Sequence, residues 1–151
     1  MIHDPQHTLT ALRLTDPQHL RLTFADGATL PLDLTPVIAA HPALRPLADP
    51  TLFARARLDA RGGYVIWIDD ELELAADNLR HLATEQAGGI GHERLWHWLH
   101  ATGLTQSAAA DAIGISRRML GYYLSGARPI PKTVWLACVG WQAQQSMALA
   151  A

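Results

Sequence analysis

The chain has 151 residues, which is enough for one domain of medium size or for two small ones. Its composition, with 49% hydrophobic and 17% charged residues, is typical of a globular protein and excludes a disordered chain. No segment approaches the roughly 20 consecutive apolar residues that span a bilayer. The N-terminus also lacks the basic start and apolar run of a secretory signal. We therefore expect a cytoplasmic protein with no membrane partner, and the single Cys138 agrees with a reducing compartment.

The formal net charge of −2 hides an asymmetry between the two parts of the chain. Residues 1–87 hold seven arginines and twelve acidic residues, a net charge of −5, whereas residues 88–151 hold five basic and two acidic residues, a net charge of +3. A change of sign within one chain indicates two units with different partners. The sequence thus predicts a domain over residues 1–87, a glycine-rich linker over residues 88–91 and a second domain over residues 92–151. A phosphate-binding loop in the linker would need a preceding strand and usually a lysine, and the linker has no lysine.

Residues 8–34 alternate between apolar and polar side chains and contain turn residues at Asp16-Pro17 and Asp26-Gly27. Alternation with a period of two predicts three short antiparallel strands with one buried face. Asp26-Gly27 favours a hairpin because the turn needs a positive φ, which glycine adopts without a Cβ clash. Residues 55–59 and 64–68 predict a further pair of strands.

Helices are predicted in the same part of the chain. Thr35-Pro36 and Asp49-Pro50 each place a capping side chain directly before a proline, which the first turn of a helix tolerates. Residues 75–87 predict a longer helix. The first domain is therefore expected to be α+β, with a small antiparallel sheet and helices on one side of it.

From His92 onward the apolar residues recur with the period of a helix. The pattern predicts a helix that starts at His92 and ends near Gly103, a second helix over residues 106–113 and a third over residues 117–125. Two short helices joined by a turn that contains glycine form a helix-turn-helix. The expected N-caps and helix breakers around the turn are Thr105, Gly114, Ser116 and Gly126.

Residues 104–126 resemble the lambda-repressor-like, or Xre/Cro, helix-turn-helix family. In that family a Gln opens the second helix, an Ala, a Gly and an aliphatic residue follow at fixed spacing, and another Gly closes the third helix. All five positions match here, at Gln106, Ala110, Gly114, Leu120 and Gly126. The resemblance implies an all-α DNA-binding domain. The alternative is a helical hairpin that serves only packing and has lost DNA contact.

The resemblance also implies which side chains meet DNA. Arg117 and Arg118 take the first-turn positions that reach base edges, and Tyr122 takes the position one turn later. Arginine pairs bidentately with guanine, so a site that contains guanine is favoured. Gln106 matches a position that touches phosphate. The DNA-binding residues predicted in this way are Gln106, Ser116, Arg117, Arg118, Tyr122, Ser125, Arg128 and Lys132, of which the last two could equally be ordinary solvated charges.

The first domain resembles the bacterial family called domain of unknown function 2442 over about residues 8–83. The resemblance rests on residues 20–27, 47–53 and 64–67 together with Asp33-Leu34. It departs after Trp67, where the short Gly-Asp turn of the family is replaced by an acidic run. Membership implies an α+β domain, with an appended helix-turn-helix in some members, and no established chemistry. Some relatives neighbour small proteins in toxin-antitoxin-like gene pairs, which motivates the hypothesis of a protein partner.

Three features of the sequence bear on whether the chain is an enzyme or binds a metal. The acidic run at residues 69–73 is a single local segment, whereas a carboxylate site needs ligands from different elements, so a solvated edge or protein contact is favoured. His97 and His100 lie one helical turn apart, but no third ligand is evident beyond Glu93 or His92. Cys138 lies in an apolar segment and is expected to be an inert buried thiol. We therefore expect no catalytic activity, no metal and no cofactor.

The sequence as a whole predicts a sequence-specific DNA-binding transcriptional regulator with residues 117–125 in the major groove. We expect a homodimer, because one short helix covers few base pairs and such proteins gain affinity from two half-sites. The expected partners are double-stranded DNA, a second copy of the chain, and a protein bound by the N-terminal domain. The alternative function is an antitoxin-like interaction module whose acidic N-terminal domain binds a partner protein.

Overall fold

The computed structural model describes residues 4–150, and its internal contacts divide the chain into two units between Ala87 and Gly88. Each unit has its own hydrophobic core. Among the described residues, no helix is long and apolar enough to cross a membrane. The two units are described separately below.

The first unit opens with a three-stranded antiparallel sheet in the order β1-β2-β3. The short 3-10 helix Pro5–His7 precedes the sheet. The strands of the sheet are β1 Leu9–Asp16, β2 His19–Phe24 and β3 Thr29–Asp33. In the register, Leu20 of β2 lies opposite Leu14 on one side and Leu32 on the other. Leucines at alternate positions therefore share one face, and the prediction of three strands with a buried face is confirmed.

The two turns of this sheet differ in how they accommodate a positive φ. Gly27 has a φ of 93°, as the Asp-Gly pair predicts, and the carboxylate of Asp26 accepts the N–H of Ala28 at 3.1 Å. In the other turn Gln18 has a φ of 65°, although it carries a Cβ. The sequence gives no sign of that left-handed residue, because Pro17 and not glycine marks the turn.

A second three-stranded antiparallel sheet, in the order β4-β5-β6, corrects the prediction of one small sheet. Its strands are β4 Arg57–Leu58, β5 Tyr64–Ile68 and β6 Leu72–Ala75. Strand β6 was not predicted, since the acidic residues before it suggested only a polar edge. Instead, residues 69–71 form a turn in which Asp70 has a φ of 61°, and Leu72 is then buried.

The helices of the first unit include one whose cap differs from the prediction. They are α1 Thr35–Ala40, a 3-10 helix Pro42–Ala48, α2 Pro50–Phe53 and α3 Ala76–Gln86. The carboxylate of Asp49 caps α2 by accepting the N–H of Thr51 at 3.0 Å, as expected. At α1, however, Thr35 does not cap, and its own N–H donates to the carboxylate of Asp33 at 2.8 Å. Helix α3 packs against β3 and β6, and its fully buried Leu79 lies in the core.

The second unit contains four helices among the described residues: α4 His92–Thr102, α5 Gln106–Ile113, α6 Arg117–Leu124 and α7 Lys132–Ala150. Gly91 is the N-cap residue of α4, and Ile90 packs against the core of this unit. The core is built around Leu95, Leu120 and Cys138, each of which has no exposed surface. The indole of Trp98 is tied across this core, donating to the carbonyl oxygen of residue 138 at 3.1 Å.

Candidate nucleic-acid interface

Side-chain hydrogen bonds cap the first turn of α5 and the first turn of α6. The hydroxyl of Thr105 accepts the N–H of Ala108 at the start of α5, and the hydroxyl of Ser116 accepts the N–H of Met119 at the start of α6, each at 3.1 Å. Between the helices Gly114 has a φ of 79°, a conformation that glycine adopts without strain. Each cap is typically worth about 1 kcal/mol. Local chemistry therefore sets where α5 ends and where α6 begins.

The inner face of α6 packs into the core of the second unit. Leu120 and Leu124 are fully buried and Tyr123 is 8% exposed. On α5 the small residues Ala109 and Ala110 are also buried, which lets the neighbouring helix come close. Because these residues fix the rotation of α6 about its axis, the opposite face of α6 must point to solvent.

The outer face of α6 carries positive charge and no acidic residue. Arg117, Arg118 and Ser125 are exposed, while Gly121 and Tyr122 are half-buried. Helix α6 ends at Leu124, so Ser125 is its C-cap residue and not part of the helix, one residue short of the prediction. Two arginines in the first turn lie at the positive end of the helix dipole, which opposes them by about 0.3–1 kcal/mol each. Their position at the start of α6 therefore does not favour folding.

Three of the predicted residues form a contact cluster on this face. The Nε of Arg118 donates to the Oη of Tyr122 at 2.8 Å. The guanidinium of Arg128 lies over the ring of Tyr122, with its Cζ 4.3 Å from the ring centroid. Ser125 is adjacent, and its hydroxyl donates to the carbonyl oxygen of residue 122 at 3.2 Å. Among residues 4–150, neither Arg118 nor Arg128 forms an ion pair with a carboxylate.

The remaining predicted residues lie apart from this cluster. The hydroxyl oxygen of Ser116 accepts a hydrogen bond as the N-cap of α6, which leaves its O–H as a donor. Gln106 is half-buried in the first turn of α5, and Lys132 is exposed at the first residue of α7. Within the described part of the chain, neither side chain is hydrogen-bonded to the cluster. Arg117 is likewise exposed and without an ion pair among residues 4–150.

Two further residues belong to this surface, and the first of them, Met119, was not singled out from the sequence. The sulfur of Met119 lies 3.6 Å from an Nη atom of Arg128, which holds that arginine against α6. Gly121 is a helical residue at which an added Cβ would meet no atom within 4 Å. The packing of the second unit therefore gives no reason for glycine there.

The other candidate sites have separate environments. Among residues 4–150, no group of three or more His, Cys, Asp or Glu side chains could hold a metal ion. The ring of His100 stacks on Trp96 with centroids 5.8 Å apart. The acidic turn is exposed, and Asp69 in it pairs with Arg57. Cys138 is buried as predicted, and burial raises the pKa of its thiol to about 11, which disfavours the reactive thiolate.

The chain is similar to one protein family and to one solved structure. Residues 9–85 match the model of a family described as a protein of unknown function (DUF2442). A crystal structure of a "putative DNA binding protein" from Nitrosomonas europaea ATCC 19718 is 40% identical, with a TM-score of 0.84. The similarity covers 91% of this chain and 88% of that chain, so it includes residues of both units. No curated protein matches the chain.

Proposed function

The chain belongs to the family of proteins of unknown function DUF2442. From the geometry of α5 and α6 we propose that it is a sequence-specific DNA-binding transcriptional regulator. The proposed function involves no catalysis, metal or cofactor. It requires access to chromosomal DNA, so we place the protein in the cytoplasm.

The observation that carries the proposal is the outer face of α6. It presents two arginines at the positive end of a helix dipole, in a position where folding gains nothing from them. The helix begins after a turn with a left-handed glycine and has a side-chain N-cap, which supports the proposal of a lambda-repressor-like helix-turn-helix. DNA supplies closely spaced negative charge and a major groove wide enough for a helix.

In this proposal α6 lies in the major groove, with its N-terminal end nearest the bases. Arg117 and Arg118 contact base edges, where the O6 and N7 atoms of guanine accept two parallel hydrogen bonds from one arginine. Phosphate contacts set the position of the helix but carry no sequence information. The residues assigned to them are Gln106, Ser116, Ser125, Arg128 and Lys132.

We propose further that the regulator binds as a homodimer. A single eight-residue helix reaches only a few base pairs, and helix-turn-helix proteins commonly bind two half-sites about 34–36 Å apart. The 40% identical protein described as DNA-binding supports the proposed ligand.

The experiment is selection of duplexes by the full chain from a random-sequence library, followed by sequencing. We expect an enriched motif that contains guanine. Arg117→Ala combined with Arg118→Ala should abolish the enrichment. Arg45→Ala combined with Arg55→Ala is the matched control, because it removes two exposed arginines of the first unit and changes the net charge equally. Failure of the parent chain to enrich any motif, or equal losses in the two double variants, would refute the proposal.

A second candidate function has its own observation. The first unit has a net charge of −5 and carries an exposed acidic turn at residues 69–71. These features favour an antitoxin-like module that binds a basic partner protein through its N-terminal domain. Retention of partner binding in the chain with Arg117→Ala and Arg118→Ala, together with no DNA selection by the parent, would favour this function over the first.

A further inference from the structure

Tyr122 lies between two guanidinium groups on the outer face of α6. Its Oη accepts a hydrogen bond from Nε of Arg118 at 2.8 Å. The guanidinium of Arg128 lies over its ring, with the Cζ atom 4.3 Å from the ring centroid. The chain returns to this point because the N–H of Arg128 donates to the carbonyl oxygen of residue 122 at 3.3 Å. One tyrosine thus contacts two cations that are ten residues apart in sequence.

The hydrogen bond to Nε restricts what Arg118 can do. A guanidinium is planar and has five N–H donors, of which Nε carries one. With Nε donating to Tyr122, the four N–H groups on the two Nη atoms remain for a ligand. This end of the guanidinium carries parallel N–H groups that suit the paired acceptors on guanine. The bond also restricts rotation of the guanidinium, so less rotational freedom is lost on binding.

The second arginine has a different environment. Arg128 stacks on the ring face, and one of its Nη atoms lies 3.6 Å from the sulfur of Met119. Two like charges on one ring repel each other, and the described residues provide no carboxylate ion pair to either. An anion close to this pair would relieve that repulsion. Arg128 therefore suits a phosphate contact, which depends on charge and not on base identity.

We propose that Tyr122 is a positioning residue and not a base contact: its hydroxyl aligns Arg118 for one guanine, and its ring holds Arg128 for the adjacent backbone. This inference rests on the proposed function and assigns the selectivity at one base pair to the hydroxyl of Tyr122. It revises the role that the family resemblance implied for the same residue.

The test uses Tyr122→Phe in the full chain, which removes the hydroxyl and keeps the ring beneath Arg128. The probes are the duplex most enriched by the parent chain and a scrambled duplex of the same composition. We expect affinity for the enriched duplex to fall about threefold to tenfold, the range for loss of one hydrogen bond. Affinity for the scrambled duplex and the dependence on salt should stay unchanged. Tyr123→Phe, the hydroxyl deletion on the inner face of the same helix, is the matched control and should behave as the parent.

A double-variant comparison separates positioning from general damage. If the hydroxyl acts through Arg118, then Tyr122→Phe should have no further effect in a chain that already carries Arg118→Ala. Losses that add in the double variant would overturn the inference, as would equal losses on both duplexes for Tyr122→Phe alone. Tyr122→Leu should in addition weaken binding to the scrambled duplex, since it removes the ring that supports Arg128.

Two different experimental outcomes would refute the positioning role of Tyr122 and the proposed DNA-binding function. If Arg118→Ala lowers selectivity while Tyr122→Phe matches the parent, only the positioning role is refuted. If the parent chain selects no duplex at all, both the role and the function are refuted.

Discussion

Replacing Gly121 by alanine should raise the stability of the second unit and lower its affinity for DNA. Gly121 lies within α6 and does not have a positive φ, so alanine fits its backbone. An added Cβ would meet no atom within 4 Å. Glycine inside a helix costs about 0.8–1.0 kcal/mol relative to alanine. For a unit of this size a gain of about 1 kcal/mol should raise the Tm by roughly 4–8 °C.

The effect on DNA follows from the place of Gly121 on the outer face, directly before Tyr122. If this face enters the groove, the new methyl group meets DNA where the parent chain has none. Overpacking of a fitted contact costs about 1–3 kcal/mol, so we expect affinity for the selected duplex to fall about tenfold.

The matched control is Gly140→Ala in α7, where an added Cβ also meets no atom within 4 Å. It should raise the Tm in the same way and leave DNA affinity unchanged. Calorimetry gives the Tm and fluorescence anisotropy with a labelled duplex gives the affinity. A Gly121→Ala chain less stable than the parent would contradict the helix geometry, and one that binds DNA as well as Gly140→Ala would contradict the assignment of this face.

Three further predictions concern the folded chain. Thr105→Ala and Ser116→Ala should each lower the free energy of unfolding by about 1 kcal/mol in urea titration, since each removes a helix cap; no loss would mean that the caps do not form. Partial burial raises the pKa of Asp26, but the hydrogen bond from Arg80, the backbone N–H of Ala28 and the charge of Arg80 together outweigh it and lower that pKa overall. The resulting stability, less than about 1 kcal/mol for a partly exposed pair, is present above the ordinary pKa near 4 and is lost as the pH falls through the lowered value. Asp26→Asn should therefore flatten the acid limb of stability measured between about pH 5 and 2, and an unchanged limb would refute the pairing. The Cys138 thiol, buried and with its pKa raised to about 11, should react with a maleimide only after urea unfolding, and rapid labelling of the native chain would contradict its burial.

Local features of this fold could be predicted from sequence because they are decided within a few residues. Thr105 and Ser116 cap their helices, and Gly114 takes the left-handed conformation, because each depends on backbone groups no more than a turn away. The burial of Leu120 and Tyr123 follows from helical period alone.

Features that depend on distant segments could not be predicted in the same way. Strand β6 pairs with β5. In the sequence, Leu72 and Leu74 alternate with Glu73, but this short alternation directly follows acidic residues and so did not predict a strand. Gln86 closes two hydrogen bonds with the backbone of Asp33, at 2.9 and 2.6 Å, across 53 residues of sequence. No local pattern marks such a contact.

The candidate interface shows both cases. The exposure of Arg117 and Arg118 follows from helical period, and it agrees with the structure. The contact between Arg128 and Tyr122 does not follow from it, because the direction of the chain after α6 depends on a turn in which the hydroxyl of Ser125 accepts the N–H of Ala127 at 3.3 Å. The stacking of Arg128 on Tyr122 across that turn is therefore set by tertiary structure and not by a local sequence pattern.

The salt dependence of DNA binding tests the central claim most directly. The full chain would be titrated against its most enriched duplex over a series of salt concentrations, and the logarithm of the association constant plotted against the logarithm of salt. Each neutralised phosphate contributes a slope of about −0.9, so contacts from several of the basic side chains around α6 predict a slope steeper than about −2. Lys132→Ala should make the slope shallower by about 1. Absence of binding at the lowest salt, or an affinity that does not change with salt, would contradict the account.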